Sequence, residues 1–214
     1  MILPAPGIRV GFWKIDESPE ELLQMYTEGA HNETIEAMAA ARKSHFIASR
    51  LLAKEFYPQC EVYKDEFGKP HLIGNNAQIS WSHSGNYAAL IACENGSTGI
   101  DIEQISDRIL RIEDKFCNKE DKKSILPGNH AETLLAIWTA KESMFKWYGK
   151  KEVDFRLHMT VEPFHWQESG RFYTRFHKGE TQARFTMEYE IINRHLATWI
   201  VGETENTSGD LKAK

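Results

Sequence analysis

The sequence predicts an α+β protein, and three observations predict it. Two stretches, about 32–56 and 130–148, carry apolar residues at helical spacing. Short runs of alternating or β-branched residues, separated by glycine, proline and asparagine, read as strands. Both halves of the 214-residue chain show a helix followed by strands, without a visible sequence repeat. At this length the chain can bury a substantial core, as one large domain or two small ones.

From the amino terminus, a short strand (Ile8 to Ile15) leads into helices at about 18–28 and 32–56. In the second helix Ile35, Met38, Ala39, Phe46, Ile47 and Leu51 fall near helical spacing in an alanine-rich segment. Strands follow at roughly 60–64, 70–73, 77–82 and 86–93, with Asp65 to Pro70 as a turn. After Asp101 comes a basic helical stretch, then a helix at about 130–148 ended by Gly149. The remainder alternates like strands: Val153 to Arg156, His158 to Val161, Gly170 to Phe176, Ala183 to Ile192 and His195 to Val201. Turn signals punctuate it at Pro163, Gly170, Gly179 and Asn193-Arg194. Trp13, Trp138 and Trp199 are expected in the core. The tail, 203–214, is polar and rich in glycine, serine and threonine, and reads as disordered.

Composition narrows the class. With 41% hydrophobic and 27% charged residues the chain is an ordinary soluble globular protein. Its net charge of −5 implies no nucleic-acid partner. Cys60, Cys93 and Cys117 have no C-x-x-C spacing and read as reduced thiols of a cytoplasmic protein. The first ten residues lack the pattern of a signal peptide, and no apolar run is long enough to span a membrane. No zinc pattern or glycine-rich phosphate loop is present, which argues against a kinase or a dinucleotide enzyme.

Three carboxylates carry the chemistry. Asp101 and Glu103, in G-I-D-I-E, are two apart on an extended segment and project to one face. Glu142 lies in W-T-A-K-E-S-M-F-K, where Leu134, Leu135, Ile137, Trp138 and Phe145 form the apolar stripe and Lys141, Glu142 and Lys146 lie off it. Glu142 and Lys146 are four apart and share a helix face. If the helix packs over the strand, the acids and Lys146 converge, and such a cluster repels itself unless a hard divalent cation binds. A solvated strand edge beside a helix with one ion pair would present the same spacing. Upstream, Ser82 and His83 end a strand, where they can bond a phosphate or serve as ordinary structural residues. Lys69, on the Gly68-Lys69-Pro70 turn, is by itself only a solvated charge.

Together these segments resemble the 4'-phosphopantetheinyl transferase family, in its larger single-chain, surfactin-synthetase-priming type. The family pattern is G-K-P, N-x-S-H-S, G-(I/V)-D-(I/V)-E and W-(S/T)-x-K-E-(S/A)-x-x-K. This chain has Gly68-Lys69-Pro70, Ser80 to Ser84, Gly99 to Glu103 and Trp138 to Lys146 in that order. The resemblance runs from about Arg42 to Lys151. It implies two similar α+β halves related by a pseudo-twofold, 1–98 and 99–202, with the active site in the cleft between them, and a chain that need not dimerise.

The resemblance also implies the reaction. Coenzyme A donates its 4'-phosphopantetheine arm to a serine hydroxyl of an apo acyl or peptidyl carrier protein, and 3',5'-ADP leaves. Asp101, Glu103 and Glu142 would hold Mg²⁺ on the pyrophosphate, with Mn²⁺ acceptable to the same oxygen ligands. Lys146 would contact those phosphates, His83 and Ser82 a phosphate of coenzyme A, and Lys69 the nucleotide end. Glu142 and Glu120 are the two candidates for the base that takes the serine proton.

Two departures stand out. Ser80 replaces the family's asparagine, a shorter side chain with one hydroxyl. Basic residues expected before the long helix are absent from Gly29 to Glu36 except for His31, leaving Arg42, Lys43 and Arg50, of which Arg50 best fits, with help from Lys64. Arg108, Arg111, Lys115, Lys119, Lys122 and Lys123 form a local basic stretch suited to an acidic carrier. A catalytically inactive carrier-binding module of the same fold and a Mg²⁺-dependent hydrolase of nucleotide pyrophosphates are the competing readings.

Overall fold

The alternating runs become two antiparallel sheets, in a computed structural model that describes residues 1–26, 35 and 37–204. The first sheet contains β1 (Ile2–Ala5), β2 (Ile8–Lys14), β3 (Val62–Lys64), β4 (Pro70–Leu72), β5 (Gln78–Ser84) and β6 (Tyr87–Cys93), in the order β1-β2-β6-β5-β4-β3. The second contains β7 (Ile100–Gln104), β8 (Met159–Val161), β9 (Ser169–Lys178), β10 (Thr181–Ile192) and β11 (His195–Thr204), in the order β7-β11-β10-β9-β8. Among the described residues the α-helices are α1 (Pro19–Met25), α2 (Ala40–Phe56), α3 (Glu113–Phe116), α4 (His130–Tyr148) and α5 (Phe155–His158). The α+β class expected from the sequence is the class observed.

Side-chain alternation stacks these elements in layers. Every residue of β6 is buried. Its Ala88, Leu90 and Ala92 face α2, while Tyr87, Ala89, Ile91 and Cys93 pack with Ile100, Ile102, Ala197 and Trp199 of the second sheet. On β11 the same rule sends Leu196 and Ile200 the other way, into a cluster with Leu134, Ile137, Ala140 and Met144 of α4. Thr198, on that face, bonds Thr139 between hydroxyls at 2.7 Å. The order is therefore α2, first sheet, second sheet, α4. A strand buried on both sides reads as an unbroken apolar run, which is how β6 appears in the sequence.

Helix α4 rides close on the start of β7. A Cβ built on Gly99 would lie 2.0 Å from the carbonyl oxygen of Ser143 and 3.1 Å from the backbone nitrogen of Trp147. Both are backbone atoms of the helix and cannot rotate away. Gly99→Ala is expected to lose about 2 kcal/mol or more of stability, at the upper end for overpacking, read as a lower urea midpoint at unchanged slope. A midpoint within error of the parent would show that helix and strand have slack here.

Several sequence expectations shift. Strand β1 adds to the elements expected from the sequence; it is an edge strand, where the N–H that Pro4 lacks is not needed for pairing. Helix α1 starts on a capping box, with Ser18 and Glu21 bonding each other's backbone N–H. Helix α2 begins at Ala40, and the expected helix between 27 and 34 lies outside the described residues, as does the tail from 205. The basic stretch is not one helix. It is a 3-10 turn at Asp107–Ile112, the short α3, and a second 3-10 turn at Asp121–Ser124. The interruption is at Asn118, whose side-chain oxygen accepts from the Glu120 and Asp121 N–H groups and so competes with helical pairing. Val153 to Arg156 is not a strand either. Asp154 caps α5 by accepting from the Arg156 and Leu157 N–H groups. Trp199 is in the core as expected, whereas Trp13 and Trp138 are half-buried.

Candidate active site in the cleft between the sheets

The two sheets meet along a ladder of serine hydroxyls. Ser80, Ser82 and Ser84 alternate on β5 and so share the face turned toward β7. Ser80 Oγ accepts from the Ile100 N–H (3.3 Å). Ser82 Oγ donates to Asp101 Oδ1 (2.6 Å) and Ser84 Oγ to Glu103 Oε2 (2.9 Å). Ser84 Oγ also accepts from the Gln104 N–H (3.1 Å). Strand β4 pairs with β5 only at His71 and Gln78, so Ser80 to Ser84 have an open side. A cleft of about 440 Å³ occupies it, lined by β5, β7, the end of α4 and the 67–70 turn.

Asp101, Glu103, Glu142 and Lys146 all line this cleft. Lys146 Nζ donates to Asp101 Oδ1 (2.7 Å) and to the Ile100 carbonyl (3.1 Å). Burial, and next the charge of Asp101, push the Glu142 carboxyl up to about 7 against the opposing pull of Lys146. The same two causes raise Glu103. Lys69 reaches over from the first sheet, donating to the Trp147 carbonyl at the end of α4 (2.9 Å). Gly149 caps that helix in the left-handed region (φ 67°), and a Cβ there would press on Lys69 Cδ at 2.9 Å. His83 is driven down to about 4, first by burial and then by His45 and Lys146, so its imidazole is neutral.

A cation belongs to such a site only if its donors suit one. Among the described residues no three histidine, cysteine or acidic side chains are gathered into a ready metal-binding group. Asp101 Oδ1 is turned to Ser82 and Lys146, and Glu103 Oε2 to Ser84. Asp101 Oδ2, however, is buried without a hydrogen-bond partner among the described residues. That orphaned acceptor, beside two carboxyls whose ionisation is opposed by their neighbours, is an all-oxygen donor set of the kind that hard divalent cations take. The residues fit the group.

Residues 97–200, which contain the Gly99 to Glu103 and Trp138 to Lys146 segments, match the family model of the 4'-phosphopantetheinyl transferase superfamily. Just under half of the chain is thus similar to this superfamily. It is 31% identical over 90 residues to the 4'-phosphopantetheinyl transferase gsp of Aneurinibacillus migulanus, covering 41% of this chain and 37% of that protein. It is 27% identical over 144 residues to the 4'-phosphopantetheinyl transferase AcpT of Escherichia coli (strain K12), 62% of this chain and 74% of that one. With AcpT of Salmonella typhi the figures are 30% over 127 residues, 53% and 63%. The matched part of the chain thus spans little more than a third of the first of these relatives.

The expected site residues separate into two groups. Lys69, Ser82, His83, Asp101, Glu103, Glu142 and Lys146 come together in the cleft. Arg50, Lys64 and Glu120 do not line it. Arg50 covers the Phe46 ring at 3.4 Å and donates to the Phe46 carbonyl. It lines a smaller hollow of about 220 Å³ with Tyr26 and Lys54. Arg50 and Lys64 each lie 5.4 Å from the Trp81 ring, which itself borders the cleft, so both cations are one indole away. Burial, then Arg50 and Arg42, lower the Lys64 ammonium. Glu120 pairs with Lys123 at 2.7 Å outside the cleft. His31 lies outside the described residues.

Sequence reasoning missed the roles of Trp81 and Ser84. Trp81 faces away from Ser82, as alternation requires, yet borders the cleft because β5 is open along that side. Ser84 holds Glu103, a role its place in S-W-S-H-S would have signalled once β7 was set opposite. Ser80 is 3% exposed and spends its hydroxyl on joining the sheets.

Proposed function

We propose that this chain transfers the 4'-phosphopantetheine arm of coenzyme A to a serine hydroxyl of an apo acyl or peptidyl carrier protein, releasing 3',5'-ADP. One observation carries the reading: a single cleft joins three carboxylates to Lys146, Lys69 and a neutral His83. Acids and bases in that mixture suit a pyrophosphate better than either would alone. When bound there, a divalent cation, Mg²⁺ or Mn²⁺, supplies charge neutralisation on the pyrophosphate oxygens.

The chain's own groups do the rest. The serine oxygen forms a bond to the phosphorus that carries the pantetheine, and the bond from that phosphorus to the bridging oxygen breaks. The serine proton passes to a carboxylate, and the electron pair of the broken bond stays with the departing 3',5'-ADP. Of the two candidate bases, Glu142 lines the cleft and is poised near neutrality, whereas Glu120 is held by Lys123. Lys146 offers fixed positive charge to the phosphoryl oxygens as charge builds on them. His83 orients a phosphate, Ser82 fixes Asp101 through its hydroxyl, and Lys69 neutralises the nucleotide end. Lys122 is paired with Glu113 and Asp114, and Lys123 with Glu120, so the exposed bases that favour an acidic carrier are Arg108, Arg111, Lys115 and Lys119.

Intact-mass measurement of an apo carrier protein incubated with this chain, coenzyme A and Mg²⁺ tests the proposal, and the carrier should gain the mass of one phosphopantetheine. Unchanged carrier that still binds the chain would favour the inactive module. Breakdown of coenzyme A without carrier would favour the hydrolase. Asp101→Asn keeps the Ser82 contact but removes the charge, so transfer should fall about 100-fold or more with little change in unfolding midpoint. Full transfer by the folded variant would remove Asp101 from the site.

A further inference from the structure

The imidazole of His45, on α2, lies flat against that of His83, with ring centroids 4.1 Å apart and planes 9° from parallel. Its Nε2 is 2.8 Å from the carbonyl oxygen of Gly85, in the turn that follows β5. A carbonyl only accepts, so Nε2 carries the hydrogen and donates. One end of the His45 side chain is thus anchored by the helix and the other by the turn. His45 is not among the residues that line the cleft, whereas His83 is.

Building on the coenzyme A reading, we infer that His45 is a positioning residue for the cofactor, acting through its stack on His83. A histidine side chain has a broad, weakly restrained second torsion, so rotamer preference alone does not set the plane of its ring. A bond from an imidazole N–H to a phosphate oxygen is directional and needs that plane set. Against His45 the His83 ring is held before any ligand arrives. Ordering it on binding then costs less, which is preorganisation expressed as affinity. The parallel arrangement also suits a neutral His83, because two charged rings face to face would repel.

Calorimetric titration of the full chain with coenzyme A tests this, using the parent, His45→Ala, His45→Phe, His83→Ala and the His45→Ala/His83→Ala double variant. His45→Ala should weaken binding roughly five- to tenfold, the scale of ordering one side chain. His45→Phe, which keeps a ring on His83 and loses only the bond to Gly85, should restore most of that loss. In the His83→Ala background the His45 change should add nothing, because no ring is left to position. Unchanged affinity in His45→Ala, or full additivity in the double variant, overturns the inference. Failure of the parent chain to bind coenzyme A overturns the functional reading and this inference with it.

Discussion

Lys141→Ala is expected to cost about 3–5 kcal/mol of folding stability, the scale of breaking a buried charge pair. The side chain is fully buried, and its ammonium donates to Asp121 Oδ2 (2.5 Å) and to the carbonyls of Phe116 (2.9 Å), Phe155 (2.9 Å) and Met159 (3.0 Å). Asp121 is equally buried and accepts from the Asn118 and Val161 N–H groups. One cation therefore ties α3, α5 and β8 to α4. Burial lowers the Lys141 ammonium while Asp121 opposes it, so the pair survives only as a pair. Alanine would leave a buried carboxylate and three carbonyls without their shared donor. The urea midpoint should fall steeply, and Asp121→Asn should retain more stability than Lys141→Ala because its amide still accepts. A loss under about 1 kcal/mol for Lys141→Ala would mean that water or a rearranged loop replaces the ammonium.

Lys146→Ala should lower turnover by about 100- to 1,000-fold on the proposed reaction, the range for removing one preorganised group from developing charge. Its ammonium already sits 2.7 Å from Asp101 at the cleft wall, fixed by the Ile100 carbonyl, so little reorganisation is needed. The contact strengthens as negative charge grows, and the defect belongs to kcat. A variant with normal kcat and only a raised KM for coenzyme A would mean that Lys146 binds ground state and transition state alike.

Much of the scaffold was legible because hydropathy periodicity reports burial. The apolar run of β6, the strands around it and the helix over 130–148 all appear in the sequence near their observed places. The site was legible through spacing: two acids two apart on a strand, and an acid and a base four apart on a helix, do meet in one cleft. What spacing could not reveal was any partner supplied by a distant segment. Lys141 lies off the apolar stripe, as a surface lysine would, and its burial is made tolerable only by the Asp121 carboxylate and the carbonyls of three other elements. The run of bases from Arg108 to Lys123 looks helical by composition, yet one asparagine side chain outcompetes the helix for backbone donors. Glu120 and Glu142 were both candidates for the base, and tertiary packing puts only Glu142 in the cleft.

The serine ladder between β5 and β7 has a wider meaning. Within each sheet, neighbouring strands are fastened by main-chain bonds that no change of side chain can delete. Across the junction, Ser80, Ser82 and Ser84 supply bonds through their hydroxyls. How the two halves of the molecule sit against each other is consequently encoded in replaceable groups. Exchanging one of these small polar residues would alter the junction and leave the main-chain pairing of both sheets in place. The Ser80 hydroxyl, which accepts from the Ile100 N–H, is one such contact.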